Sequence, residues 1–472
     1  MIWSRLRRFF VRCSLLRAGC KSIRSVGCNL NGLVIVITLP LVGCGRDLDV
    51  PVPPSQARKP QETDGKEADG KIVSADIQEP SSPPVDPLKL QDDAIDALDS
   101  GDLDAAFRSV RALKSVAPDD PEVIFLMARV LAERNRFAEA IKMLDDLAAT
   151  TPEARLPTLG QTAEWLVFQG HWQEAEERYR TLLGEVSDPS MVERMLAQLL
   201  LRQGRRLEAA DYLHELCRVG NIDESELRSL LISLHPFAGE EASDESAPIG
   251  PLGRARYQIG QGDWDAAMGE LEQLRSRRPI ESALRGRILA HQQDYESLGK
   301  WAADAPASAE EFADYWFAMG AYEAHRGNHR AAVRSFCSAV LDDQTDAAAY
   351  RRMSESLVEL DAAAEAQEAS NRARLIEQTQ LIGERLTDNS DPDILAMSKL
   401  SDLLEQLQRP LEALAWRAVK TVYSQSLSEQ GVMEELREIN RIRMQRLEAG
   451  DFEASEQFIL CGIDLGSLRR TD

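Results

Sequence analysis

An alanine recurs along this chain at Ala106, Ala140, Ala175 and Ala209, and again at Ala332 and Ala366, with gaps of 34, 35 and 34 residues in the first run and 34 in the second. Self-similarity at that period marks a chain built of stacked units, each too small to bury its own apolar face. Five positions before each of these alanines except Ala366, and before Ala267, stand Gly101, Asn135, Gly170, Gly204, Gly262 and Gly327. Glycine and asparagine accept positive φ at low cost, so these positions read as tight turns between two helices. Twelve residues after Ala106, Ala140 and Ala267 come Pro118, Pro152 and Pro279. Proline cannot continue a helix, and it closes one unit as the next begins. The pattern predicts an all-α chain of helical hairpins.

The fullest copy runs from Ala313 to Asp346 and places Trp316, Met319, Gly320, Ala332, Phe336 and Ala339 at fixed offsets. This set resembles the tetratricopeptide repeat, which carries Trp, Leu, Gly, Ala, Phe and Ala at those places. Pro121 to Ala154 supplies a second copy with Ile124, Met127, Ala128, Leu131, Ala140, Leu144 and Leu147. Two more follow, with Ala163, Leu166, Ala175, Tyr179 and Leu182, then Leu196, Ala197, Leu200, Ala209, Leu213 and Leu216. Weaker copies begin at about Ile249, Pro279, Asp393 and Glu438. The resemblance implies a right-handed superhelical solenoid whose concave groove is lined by first helices and takes peptides or partner helices. It divides the chain into repeats at 87–220, an irregular connection at 221–250, and repeats with C-terminal helices at 251–472. The register stays open at 221–250 and 376–392.

Residues 1–43 have the pattern of a signal peptide. They hold Arg5, Arg7, Arg8, Arg12, Arg17, Lys21 and Arg24 with no acidic residue, followed by an apolar run from Leu33 to Val42. That run is broken by Pro40 and is too short to cross a bilayer, which takes roughly 20 apolar residues. It closes on Leu41-Val42-Gly43-Cys44, which resembles the lipobox of bacterial lipoproteins and implies cleavage before Cys44 and acylation of its sulfur. An ordinary cleaved signal or an Arg-rich transit peptide is the competing reading. Gly45 stands where inner-membrane retention would favour aspartate, so the expected location is the outer membrane, facing the periplasm. From Cys44 to Asp86 the chain is rich in proline, including Pro53-Pro54 and Pro83-Pro84, and poor in large apolar residues. Such a stretch reads as a disordered tether.

The formal net charge is −23, and loss of the seven basic residues before Cys44 takes it to −30. A body this acidic lacks the basic face that displaces counterions from phosphates, so nucleic acid is excluded as an expected partner. Past Cys44 the cysteines are Cys217, Cys337 and Cys461, odd in number and far apart, which argues against a disulfide framework. His325 and His329 have a metal-ligand spacing, but Gly327 and Asn328 put a turn between them. Neither a phosphate loop nor a nucleophile elbow is present. The reading is therefore of a non-enzyme with no cofactor and no metal.

What remains is recognition. Arg194, Gln198 and Arg202 share one face of a first helix, and Arg256 matches it in the next recognisable repeat. In the family register they face the groove, where guanidinium groups either bind a partner's carboxylate or phosphate or form ordinary ion pairs with their own chain. Phe125, Phe168 and Phe317 share that register, as anchors for an apolar peptide or as interhelix packing. The lysine and asparagine of the chaperone-binding carboxylate clamp are missing. The expected function is a protein-interaction scaffold at the bacterial cell envelope. The alternative is a docking or regulatory subunit of an exported enzyme, or a stand-alone relative of the repeat half of exported repeat-and-propeller proteins. Gln408 to Trp416 resembles the last repeats of those proteins.

Overall fold

A computed structural model describes residues 86–231, 247–274, 278–388, 392–424 and 426–468. Cys44, the signal pattern and the tether lie outside these residues. The described residues form helices and connections, with no strand among them. Pairs of helices follow one another as hairpins: α1 (Pro87–Asp99) and α2 (Leu103–Val116), α3 (Pro121–Glu133) and α4 (Phe137–Thr150), α5 (Arg155–Gln169) and α6 (Trp172–Leu183), α7 (Ser190–Arg202) and α8 (Arg206–Val219). A single short helix, α9 (Glu224–Leu231), comes next. Hairpins then resume with α10 (Gly250–Gly260) and α11 (Trp264–Glu272), α12 (Pro279–His291) and α13 (Tyr295–Asp304), α14 (Ala313–His325) and α15 (His329–Asp342), α16 (Ala347–Val358) and α17 (Ala363–Asp388), α18 (Ile394–Gln406) and α19 (Pro410–Tyr423). The chain ends with α20 (Glu429–Ala449), α21 (Glu456–Ile459) and α22 (Leu465–Leu468).

Every hairpin turns through one left-handed residue, five positions before the residue at the alanine position. Six of these are the expected Gly101, Asn135, Gly170, Gly204, Gly262 and Gly327; the others are Gln293, Asp361 and Gln408, with φ of 57°, 58° and 53°. The recurring alanines sit where the two helices touch, and Ala106, Ala140, Ala175, Ala209, Ala267 and Ala332 are fully buried. Small residues opposite them let the first helix approach. A Cβ on Gly320 would lie 2.6 Å from the Phe336 ring, and one on Gly286 2.3 Å from the Trp301 ring. Two repeats use serine instead. Ser354 donates to the Ala366 carbonyl and Ser401 to the Ala413 carbonyl, each at 2.8 Å. Aspartate starts many of the helices: Asp102, Asp120, Asp263, Asp294, Asp346 and Asp393 each accept a backbone N–H of the helix they precede. Part of the chain's acidity thus satisfies orphan helix donors.

The chain forms two compact units, with the boundary inside α4 between Met143 and Leu144. The described part of the first unit holds α1 to α3 and the start of α4, around Ala106, Val110, Val123, Leu126 and Leu131. The second holds the remainder and departs from a simple linear array. Its α7–α8 hairpin shares one apolar core with α9 and with α17, α18 and α19, through Leu213, Leu216, Leu227, Leu230, Ile382, Leu400 and Trp416. Arg409 Nη2 donates to the Leu230 carbonyl at 2.9 Å, and Tyr423 Oη to Glu224 at 3.1 Å. At its other end α7 meets the start of α10, where Ile249 N donates to the Arg202 carbonyl at 2.7 Å. The second unit therefore folds back on itself, and its last hairpin covers the end of its early repeats.

Three expectations change. The stretch at 221–250 is not wholly irregular, because α9 lies within it. The open register at 376–392 is resolved as far as Asp388, which ends a 26-residue α17. No hairpin starts at Glu438; that residue lies inside α20, which is capped by Gly450 with φ of 69°.

Candidate binding surface

The groove-register residues of α7 are engaged by the chain itself. Arg194 forms an ion pair with Glu226 of α9 and donates to the Asn221 carbonyl at 2.8 Å. Glu226 is buried, and burial pushes its carboxyl above the usual range even against Arg194. Arg202 Nε donates to the Ala247 carbonyl at 2.9 Å. Gln198, between the two arginines on the same face, is exposed. The expected guanidinium cluster is thus not an open pair of cations, because α9, the residues just before it and those just before α10 lie against it.

Arg256 belongs to a larger cluster within the second unit. It pairs with Asp314 at the start of α14, which also receives Arg287 of α12. Arg287 grips Asp346, the N-cap of α16, with Nη2 at 2.9 Å, and its guanidinium lies 4.0 Å from the centre of the Phe317 ring. Burial alone would lower the Arg287 pKa; Asp346, Asp314 and Asp343 hold it above its ordinary value. Beside these, Arg206 at the start of α8 reaches Asp343 after α15 at 2.6 Å, and Thr345 donates to the same carboxylate through N and Oγ1. Burial pushes the Asp343 carboxyl up, but Arg206 and Thr345 outweigh it and leave it below the usual range. Three cations meet three anions, so the cluster is neutral, although the buried Nε of Arg256 has no hydrogen-bond partner. Its chemistry is that of a clasp between hairpins, since a buried pair lends geometric definition but offers no unspent charge to a ligand.

The three phenylalanines separate. Phe317 is 6% exposed and packs edge-on to Phe336 with ring centres 6.0 Å apart, so it belongs to the core and is no anchor. Phe125, in the first unit, is half-buried, and Phe168 at the end of α5 is 63% exposed. His325 stacks on Tyr295 with ring centres 3.8 Å apart. Among the described residues, no group of three or more His, Cys, Asp and Glu side chains is placed to hold a metal ion. No helix among them is long and apolar enough to cross a membrane. Arg206, Arg287, Asp314, Asp343 and Asp346 escape a sequence reading. One signal was available: Arg287 stands eleven residues before Leu298, as Arg256 stands eleven before Ala267.

Two tetratricopeptide-repeat family models match the chain, one over residues 97–159 and one over residues 163–220. These stretches are tetratricopeptide repeats, a class of module that serves as a protein-interaction scaffold and is typically non-catalytic. No curated protein matches the chain. Among solved structures, a tetratricopeptide repeat protein from Parabacteroides merdae aligns at 15% identity over 57% of this chain and 98% of its own, with a TM-score of 0.27. The TPR2AB domain of yeast Sti1, in complex with an HSP90 peptide, aligns at 14% identity over 68% and 98%, with a TM-score of 0.28. At such TM-scores the two likenesses carry no weight for function.

Proposed function

We propose that this protein is a non-catalytic interaction scaffold, tethered by a lipid on Cys44 to a bacterial outer membrane and facing the periplasm. The observation that carries the reading is the run of tetratricopeptide hairpins, joined in sequence to a lipobox-like Leu41-Val42-Gly43-Cys44 and a proline-rich spacer. The ligand is a protein or peptide. Because Arg194, Arg256 and Phe317 are used internally, the contacts fall to outward residues of the same register, with Phe168 and Gln198 the first to test. Affinity capture with the full chain, followed by mass spectrometry, tests the scaffold reading. Recovery of one envelope partner, reduced at least about tenfold by Phe168→Ala with Gln198→Ala, is the expected outcome, as removal of an aromatic anchor costs on the order of 2 kcal/mol. Equal recovery by wild type and double variant would remove this face from the proposal. Cys44→Ser should abolish labelling by a palmitate analogue and free the protein from membranes. A wild type that takes up no label would end the lipid-anchor reading.

A further inference from the structure

The tertiary structure brings together two cysteines that are far apart in the sequence. Cys337 lies in the middle of α15 and is fully buried; Cys461 follows α21 and is 5% exposed. Both belong to one apolar core, and α15 packs against α21 and α22, the two short helices that flank Cys461. The segment bearing Cys461 is held in place just before the cysteine. Tyr350 Oη donates to the Ile459 carbonyl at 3.0 Å, and the Arg372 guanidinium lies 3.5 Å from the centre of the Phe458 ring. Cys461 itself has φ of 54°, a conformation that L residues other than Asn and Asp seldom take. Burial pushes the Cys337 thiol up to about 12, with a smaller upward push from the charge that Cys461 would carry. Neither sulfur has a strong partner, since Cys337 Sγ lies 3.7 Å from Met353 Sδ and Cys461 Sγ 3.8 Å from the Ile459 carbonyl. Cys217 is in the other apolar core, with α8.

We propose that Cys337 and Cys461 are a redox pair, reduced in the state described above and joined by a small-molecule disulfide into a staple that ties the C-terminal segment to α15. The less buried thiol reacts first. The Cys461 thiolate attacks the donor disulfide and expels one donor thiolate; the Cys337 thiolate then attacks the Cys461 sulfur of the mixed disulfide and expels the second. The protein loses two electrons and two protons, and the donor disulfide takes both up as two thiols. Burial pushes the Cys461 thiol up to about 11, so exchange on the folded protein is slow and is fastest while the C-terminal segment is open or during refolding.

The test exposes the full chain to oxidised glutathione in two ways, on the folded protein and during refolding from urea, then alkylates in denaturant and maps tryptic peptides by mass spectrometry. The expected product is a peptide pair linking Cys337 to Cys461, released by dithiothreitol, with Cys217 alkylated as a free thiol. The oxidised protein should melt a few degrees above the reduced one, and the difference should vanish in Cys461→Ser. Should Cys337 and Cys461 both be recovered as free or glutathionylated thiols from both treatments, or linked to other cysteines, the pair is overturned. A 337–461 link that leaves the melting temperature unchanged would overturn its role as a staple.

Discussion

At the scale of single residues, two backbone positions recur and set the hairpin: the left-handed turn and the close approach between helices. Gly320 lies against the Phe336 ring so closely that a methyl group has no room, and both residues are buried. Gly320→Ala should therefore lower unfolding stability by about 1 to 3 kcal/mol, despite alanine's better helix propensity, as overpacking outweighs the entropy gain. Urea denaturation measures it, and an unchanged midpoint would mean the hairpin has slack. The opposite sign is expected at Gln408. A non-glycine residue at φ of 53° pays for its conformation. Gln408→Gly removes that strain but loosens the unfolded chain, so a net gain of up to about 1 kcal/mol should appear in the same assay. Gln293, Asp361 and Gln408 were illegible as turn residues because their side chains do not announce positive φ; only their place five residues before a buried contact reveals them.

At the scale of elements, the α8–α15 contact depends on charge. Arg206 and Asp343 are each at most 7% exposed and lie 2.6 Å apart. Arg206→Ala leaves a buried carboxylate without its cation and should cost about 3 to 5 kcal/mol, whereas the double change Arg206→Met with Asp343→Leu should recover most of that loss. The same pair fixes a pH dependence. Because the folded state holds the Asp343 carboxyl below its ordinary range, its contribution to stability is complete above the unfolded pKa, near 4, and fades as pH falls through the depressed value. Acid titrations followed by circular dichroism should accordingly show Asp343→Asn losing less stability than wild type between about pH 4 and pH 2. A parallel pair of curves would assign the acid sensitivity to other carboxylates. The sequence shows these charges only as an acidic surface, since their partners lie on different repeats.

At the scale of the second unit, the return of the last hairpin onto the early repeats is the main departure from a linear array. Trp416 of α19 is fully buried in the core that also holds Leu213, Leu227 and Leu230. Trp416→Ala should cost about 3 to 5 kcal/mol and raise amide exchange in α8 and α9 as well as in α19. Protection lost from α19 alone would show that the early repeats do not depend on it. The periodic alanines, the glycine turns and the aspartate caps are local, so the sequence by itself determined that the chain folds as helical hairpins. Which hairpin meets which beyond its neighbour was decided by tertiary structure alone. That choice rests on apolar faces such as those of α9 and α19, which look alike in any amphipathic helix until a partner covers them. The groove arginines illustrate the difference. Their shared face was legible from spacing by four, but whether a guanidinium meets a ligand or its own chain depends on where a carboxylate such as Glu226 or Asp314 arrives in space.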